Sequence, residues 1–168
     1  MIIIDTDFLS SFFKIGKLDL ILKALNLKFV TVPTTVYEEL KEAKFFDEIL
    51  SLFAFEEKEL SDQRFILVKN VDLSALEDFT EEETTILGKG ELGCFVLGKN
   101  GETILIDDSK ARAVAKEKGL NVVSVPSFLL SCKKKNVVSV NELKHILESL
   151  KSKDYYEFTE DVKKALLE

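Results

Sequence analysis

The chain opens on three isoleucines, Ile2 to Ile4, closed by a charge at Asp5, and then changes period. Leu9, Phe12, Phe13, Leu18, Ile21, Leu22 and Leu25 recur close to helical spacing, so residues 1–4 read as a buried strand and 8–25 as an amphipathic helix. The alternation returns with "KFVTV" (28–32) as a strand and "TTVYEELKEA" as a helix entered at Pro33, near the helix start where proline is best tolerated. Residues 44–60 read as helical, 64–71 as extended, and Thr80 with Glu83 as a capping box. From residue 91 the pattern is helix "ELGCFVLGK", strand "TILID", helix "SKARAVAKEK" closed by Gly119, strand "NVVSV", and helix "SFLLSCKKK" after Pro126. Two short helices finish it, one capped by Ser139 with Glu142 and one by Thr159.

Oily strands alternating with amphipathic helices predict an α/β fold, a central parallel sheet covered on both faces, with ligands at the carboxyl ends of the strands. A chain of 168 residues, 46% hydrophobic, supplies one sizeable core, so residues 1–168 are expected to form a single domain. No apolar run reaches membrane-spanning length and a charge stands at the fifth residue, which predicts a cytoplasmic protein with no membrane association. Cys94 and Cys132 sit in apolar helical patterns and read as reduced core residues. The net charge of −7 excludes a broad non-specific nucleic-acid surface but leaves room for a local basic rim. Acidic residues crowd 38–60 and lysines gather at 133–135, a run that reads as a solvated helix end and a weak candidate for RNA-backbone contact.

Charge placement carries the chemistry. Asp5 and Asp7 follow one strand and Asp107 and Asp108 end another, so two strands deliver carboxylates to the same sheet edge. Glu39 shares the apolar side of its helix with Leu40, while Glu38 lies roughly 200° around from Val36. Glu91 stands at a helix start behind the flexible Gly88 and Gly90. The only histidine, His145, lies off its helix's leucine stripe and reads as exposed, so no histidine-based general base or catalytic triad is available. Clustered carboxylates with no imidazole or thiolate suit a hard cation such as Mg²⁺ or Mn²⁺. Such a cation supports phosphodiester hydrolysis. Each acid also has a structural reading: Asp7 and Asp108 as helix caps, Glu91 as a dipole partner. Arg112, a turn beyond Asp108, suits either an ion pair with it or a substrate phosphate. Thr6 can orient a ligand through its hydroxyl or satisfy nearby backbone groups.

At these residues the chain resembles the PIN-domain nucleases, and within them the VapC-like branch with a C-terminal extension. The resemblance runs through "IIIDTDFLSSFFKIGKLDLI", "VPTTVYEEL", "LGKGELGCFVLGK", the long "ILIDDSKARAVAKEKGLNVVSVPSFLLSCKKKNVV" block and the closing "YEFTEDVKKALL". It implies a PIN-like fold with residues 139–168 as a helical extension, and a Mg²⁺- or Mn²⁺-dependent ribonuclease site. Asp5, Glu39, Glu91 and Asp108 match its catalytic positions, and Asp5, Asp107, Asp108 and Glu91 its metal ligands. Thr6 and Asp7 stand beside them as supporting residues or further ligands, and Lys110 and Arg112 as RNA contacts. The resemblance also implies an RNA substrate, a toxin–antitoxin role with an antitoxin protein as partner, and a homodimer. The chain departs from the family at Asp7, where serine or asparagine is usual, and at Gly93 and Cys94, where alanines are more frequent. Asp108 is favoured over Asp107 as the direct ligand. Two alternatives remain: a haloacid-dehalogenase-like phosphatase with Asp5 as nucleophile, and a non-catalytic PIN-fold module that binds RNA or protein.

Overall fold

A strand made only of isoleucine can be covered on both faces, and the computed structural model, which describes residues 1–168, places it near the middle of the sheet. The six strands are β1 (Ile2–Ile4), β2 (Val30–Pro33), β3 (Phe53–Ala54), β4 (Ile66–Lys69), β5 (Thr103–Leu105) and β6 (Asn121–Val123). Their order is β3-β4-β2-β1-β5-β6 and every pairing is parallel. Register sets Ile3 opposite Thr31 on one side and Ile104 on the other. The chain builds outward from β1 through β2 to β4, then returns to lay β5 along the other side of β1. That reversal opens a crevice at the carboxyl ends of β1 and β5, the usual ligand position in an open α/β sheet.

Ten helices cover the sheet: α1 (Thr6–Lys14), α2 (Leu18–Ala24), α3 (Thr34–Leu40), α4 (Phe46–Ile49), α5 (Glu81–Ile86), α6 (Lys89–Gly98), α7 (Ser109–Glu117), α8 (Val125–Lys134), α9 (Val140–Asp154) and α10 (Glu160–Leu167). Their starts follow local chemistry. Thr80 and Glu83 form the expected reciprocal cap on α5, with bonds of 3.1 and 2.8 Å, and Ser139 and Glu142 repeat it on α9 at 3.1 and 2.7 Å. Thr159 caps α10, and Gly119 leaves α7 at φ +73°, a conformation glycine adopts without strain.

The hydrophobic core is one cluster of 40 buried residues that includes Leu143, Ile146 and Leu150 of α9 and Leu166 of α10. Phe8 and Phe12 of α1 stack at 5.1 Å and meet Phe128 of α8 edge-on, an arrangement that suits the ring quadrupoles. No helix is long and apolar enough to cross a membrane. Cys94 and Cys132 are buried and free.

Three expected elements differ. The helix read over 8–25 is two helices, because Gly16 turns left-handed at φ +67° between α1 and α2. The helix read over 44–60 is only one α-helical turn, α4, followed by the two-residue strand β3, with Phe53 opposite Ile66. Phe53 and Ala54 are buried, and pairing with β4 overrides the local helical pattern. Val125, read as the end of a strand, instead heads α8, with Ser124 as its cap.

Candidate active site

Asp5 follows β1 at the head of α1, and its backbone N–H donates to Leu105 O of β5 at 3.0 Å, which seats it in the crevice between β1 and β5. Asp5 is 3% exposed. Burial pushes its carboxyl up to about 8, the neighbouring charges of Asp7, Glu91 and Glu39 add to the rise, and the Thr6 backbone N–H opposes it. Asp7, two residues on, is also raised, first by desolvation and then by Glu39, Asp154 and Asp108. Glu91 is raised by desolvation and by Asp108, Asp7 and Glu39, against a hydrogen bond from the Gly88 N–H. Asp5, Asp7, Glu39 and Glu91 therefore lie within one another's electrostatic reach, and Asp108 reaches Asp7 and Glu91. None of them forms an ion pair with a lysine or arginine of the chain.

The glutamates arrive on α3 and α6. Glu91 is the third residue of α6, and its Oε2 accepts the Gly88 N–H at 2.8 Å, so the helix-start reading holds. Glu39 differs from expectation in its burial. Val36 and Leu40 are buried, but Glu39 lies on the exposed side of α3 and extends sideways toward α6. There its Oε1 accepts the Gly90 N–H at 2.8 Å and its Oε2 accepts the Thr6 hydroxyl. Gly90 makes this possible, because a Cβ at that position would collide with the Glu39 carboxylate. Gly93 serves the same close approach: a Cβ there would meet Thr35 and stand 3.0 Å from Pro33 Cβ. Gly93 thereby lets α6 pack tightly against β2 and α3. Glu38 points to solvent and pairs with Lys41 at 3.0 Å.

The two adjacent aspartates occupy different surroundings. Asp108 caps α7, its Oδ1 accepting the Ala111 N–H at 2.8 Å, and it also acts electrostatically on Asp7 and Glu91. Asp107 is held through both oxygens: Oδ1 accepts the Val125 N–H at 2.8 Å and Oδ2 accepts the Tyr156 hydroxyl at 2.6 Å. Arg112 makes no ion pair with Asp108; its Nε donates to the Asp107 carbonyl at 3.3 Å. Lys110 is exposed. Lys133 and Lys135 reach the backbone carbonyls of Ala165 and Ala24, and His145 is exposed beside Glu148.

A cleft of ≈ 760 Å³ adjoins these groups, with Asp7, Lys14, Lys44, Asp108, Asp154 and Tyr156 among its walls. Asp154 and Tyr156 were invisible to sequence reasoning. Asp154 ends α9 and binds Lys14 at 2.7 Å and Ser11 at 2.5 Å. Tyr156 reaches Asp107 across 49 residues of sequence. The one signal was that "YEF" lies inside the resembling C-terminal block, where no role attached to it.

As a cation site, Asp5, Glu91 and Asp108 supply the oxygen donors that hard divalent ions take. The upward push on Asp5 and Glu91 reflects burial together with clustered carboxylates that no cationic side chain offsets. In the present arrangement no group of three or more such side chains is set to hold an ion together. Backbone N–H groups engage one oxygen each of Glu39, Glu91 and Asp108. Compared with known proteins, residues 1–168 match a family model described as PIN domain. No curated protein and no solved structure matches the chain significantly. With a match that runs from the first residue to the last, over a parallel sheet of the class this family requires, the chain belongs to the PIN-domain family.

Proposed function

We propose that this protein is an endoribonuclease that hydrolyses RNA phosphodiester bonds at the carboxylate cluster, using Mg²⁺ or Mn²⁺. PIN domains are typically metal-dependent nucleases, which makes nucleic acid the general substrate class. The observation that carries the reading is Asp5: a carboxylate 3% exposed, at the sheet's switch point, surrounded by acids and paired with no cationic side chain. A fold that only needed stability would gain by replacing it with an apolar residue.

Asp5, Glu91 and Asp108 are the groups we assign to holding the ion. Bound there, a divalent cation supplies Lewis-acid polarisation of a phosphoryl oxygen and a lowered water pKa. The chain's own residues do the rest. The Gly90 N–H and the Thr6 hydroxyl fix the Glu39 carboxylate in direction, which suits it to orienting or deprotonating a water. Asp7 adds negative charge at the rim, and Lys110 and Arg112 are our candidates for RNA phosphate contacts.

In the same reading the chain is one cytoplasmic domain of the VapC-like branch, with residues 139–168 as its extension. It acts as a homodimeric toxin restrained by an antitoxin, for which the net charge of −7 favours a basic partner segment. The phosphatase alternative gains no support from a family match to PIN domains along the whole chain. A non-catalytic binding module is favoured by one fact, the lack of a ready three-ligand group. Cleavage of a panel of RNAs by wild type and Asp5→Asn, in Mn²⁺ and in chelator, separates the two. The nuclease reading requires Mn²⁺-dependent cleavage that Asp5→Asn loses, and the binding-module reading requires RNA retention without cleavage.

A further inference from the structure

The turn that follows α9 reaches back into the acidic crevice. Tyr155 adopts a left-handed conformation at φ +54° and is 88% exposed, while the Tyr156 N–H closes the helix end on Leu150 O at 3.1 Å. This reversal turns Tyr156 inward, where its ring packs against Phe158 at 4.6 Å and its hydroxyl meets Asp107 at 2.6 Å. An O–H donated to a carboxylate at that length is a charge-assisted bond, stronger than one between neutral groups. Asp107 Oδ1 is anchored at the head of α8 by the Val125 N–H, and its carbonyl by Arg112. The turn after α9, the head of α8 and helix α7 therefore converge on one residue of the β5–α7 corner, and the next residue in the chain is Asp108.

Two residues earlier, Asp154 ties the same turn to α1 through Lys14 and Ser11. The two links attach residues 154–156 to α1, the helix that carries Asp7, and to the corner after β5. Adjacent aspartates on a flexible corner could exchange roles, each turning toward a cation in the cleft. The hydrogen bonds on Asp107 remove that freedom from one of them.

We propose that Tyr156 is a positioning residue that sorts the adjacent aspartates, holding Asp107 as the structural pin of the β5–α7 corner and leaving Asp108 as the cation-facing member. The inference rests on the carboxylate cluster being a divalent-cation site, as proposed above. It makes the end of α9 a working part of that site. Residues that orient a metal ligand through hydrogen bonds commonly change metal affinity or activity by about 10- to 100-fold when lost.

The test is calorimetric titration of Mn²⁺ into wild type, Tyr156→Phe, Asp107→Asn, Asp108→Asn and the Tyr156→Phe/Asp107→Asn double variant, with RNA cleavage measured in parallel. Tyr156→Phe keeps the ring and removes only the hydroxyl. It and Asp107→Asn should each weaken Mn²⁺ binding by about 10-fold, and the double variant should be no weaker than Asp107→Asn, because both changes break one link. Asp108→Asn should abolish measurable binding. In cleavage, Tyr156→Phe should lower kcat and leave KM for RNA within about twofold.

The inference is overturned if Tyr156→Phe binds Mn²⁺ as wild type does, if the single effects multiply in the double variant, or if Asp107→Asn alone abolishes binding. Wild type that shows the sorted Mn²⁺ pattern but cleaves no RNA refutes the nuclease reading and leaves the sorting intact, whereas wild type that binds no Mn²⁺ overturns both. Should Asp107→Asn fail to fold, amide exchange in Tyr156→Phe decides: faster exchange at Val125 and Ala111 supports the pin, and unchanged protection overturns it.

Discussion

Replacing Asp5 by asparagine removes one titrating group from the interior at nearly constant shape, and its effect on chelated protein follows from two values. The ordinary aspartate value is 3.8, and burial among acids raises Asp5 to about 8. Between these values the folded chain holds a proton that the unfolded chain releases, so unfolding sheds a proton and stability falls as pH rises. One such proton gives a slope of about 1.4 kcal/mol per pH unit, or about 2.7 kcal/mol between pH 5 and pH 7. Integrated from the ordinary value to pH 7, the contribution reaches about 4 kcal/mol. The loss begins above the unfolded value and levels off above the folded one. Asp7 and Glu91 are raised as well, so each adds a gain in stability as pH falls through its own raised value toward its ordinary one. Urea unfolding of both proteins in chelator at pH 5, 6 and 7 measures this directly. Asp5→Asn should show the flatter pH dependence and the greater stability at pH 7. Parallel curves for the two proteins would refute the placement of an uncompensated Asp5 carboxyl in the crevice.

The remaining predictions concern α3 and α6. Gly90→Ala should melt within a few degrees of wild type, because the colliding group is the movable end of Glu39, yet it should lose most RNA cleavage as that carboxylate leaves the Gly90 N–H. Gly98→Ala should destabilise the fold by about 1–3 kcal/mol in chemical denaturation, since its Cβ would stand 2.5 Å from Ile104 Cδ1 in the packed core. Glu39→Gln should lower cleavage at least 10-fold, an order-of-magnitude effect typical of a general base. Glu38→Gln, exposed and paired only with Lys41, should leave steady-state rates unchanged.

Where local chemistry determined structure, the sequence could be read directly. The isoleucine run became β1, and the Thr80–Glu83 and Ser139–Glu142 boxes start α5 and α9 because each needs only its own four residues. Failures arose where distant partners decide. β3 owes its strand state to β4, and no periodicity in residues 44–60 announces a two-residue strand. The break at Gly16 depends on a left-handed turn that the apolar pattern runs straight across. The placement of Asp5, Glu91 and Asp108 was legible because strand ends and helix starts fix their positions. The helix-face argument put Glu39 on the core side with Leu40, but Glu39 is exposed on α3 and its carboxylate is held by Thr6 and the Gly90 N–H, partners on α1 and α6 that the face pattern does not announce. The link from Tyr156 to Asp107 depends on the left-handed turn at Tyr155, which no pattern of residue types reveals.

The central claim is that these carboxylates form one divalent-cation site that cleaves RNA. Its most direct test is cleavage of a fluorescently labelled single-stranded RNA by chelator-treated protein, before and after addition of Mn²⁺, in wild type, Glu91→Gln and Asp108→Asn. The account predicts no cleavage in chelator, recovery of wild-type cleavage on adding Mn²⁺, and no recovery in either variant at the same Mn²⁺ concentration. Cleavage that persists in chelator, or that Mn²⁺ restores equally in all three proteins, would contradict it.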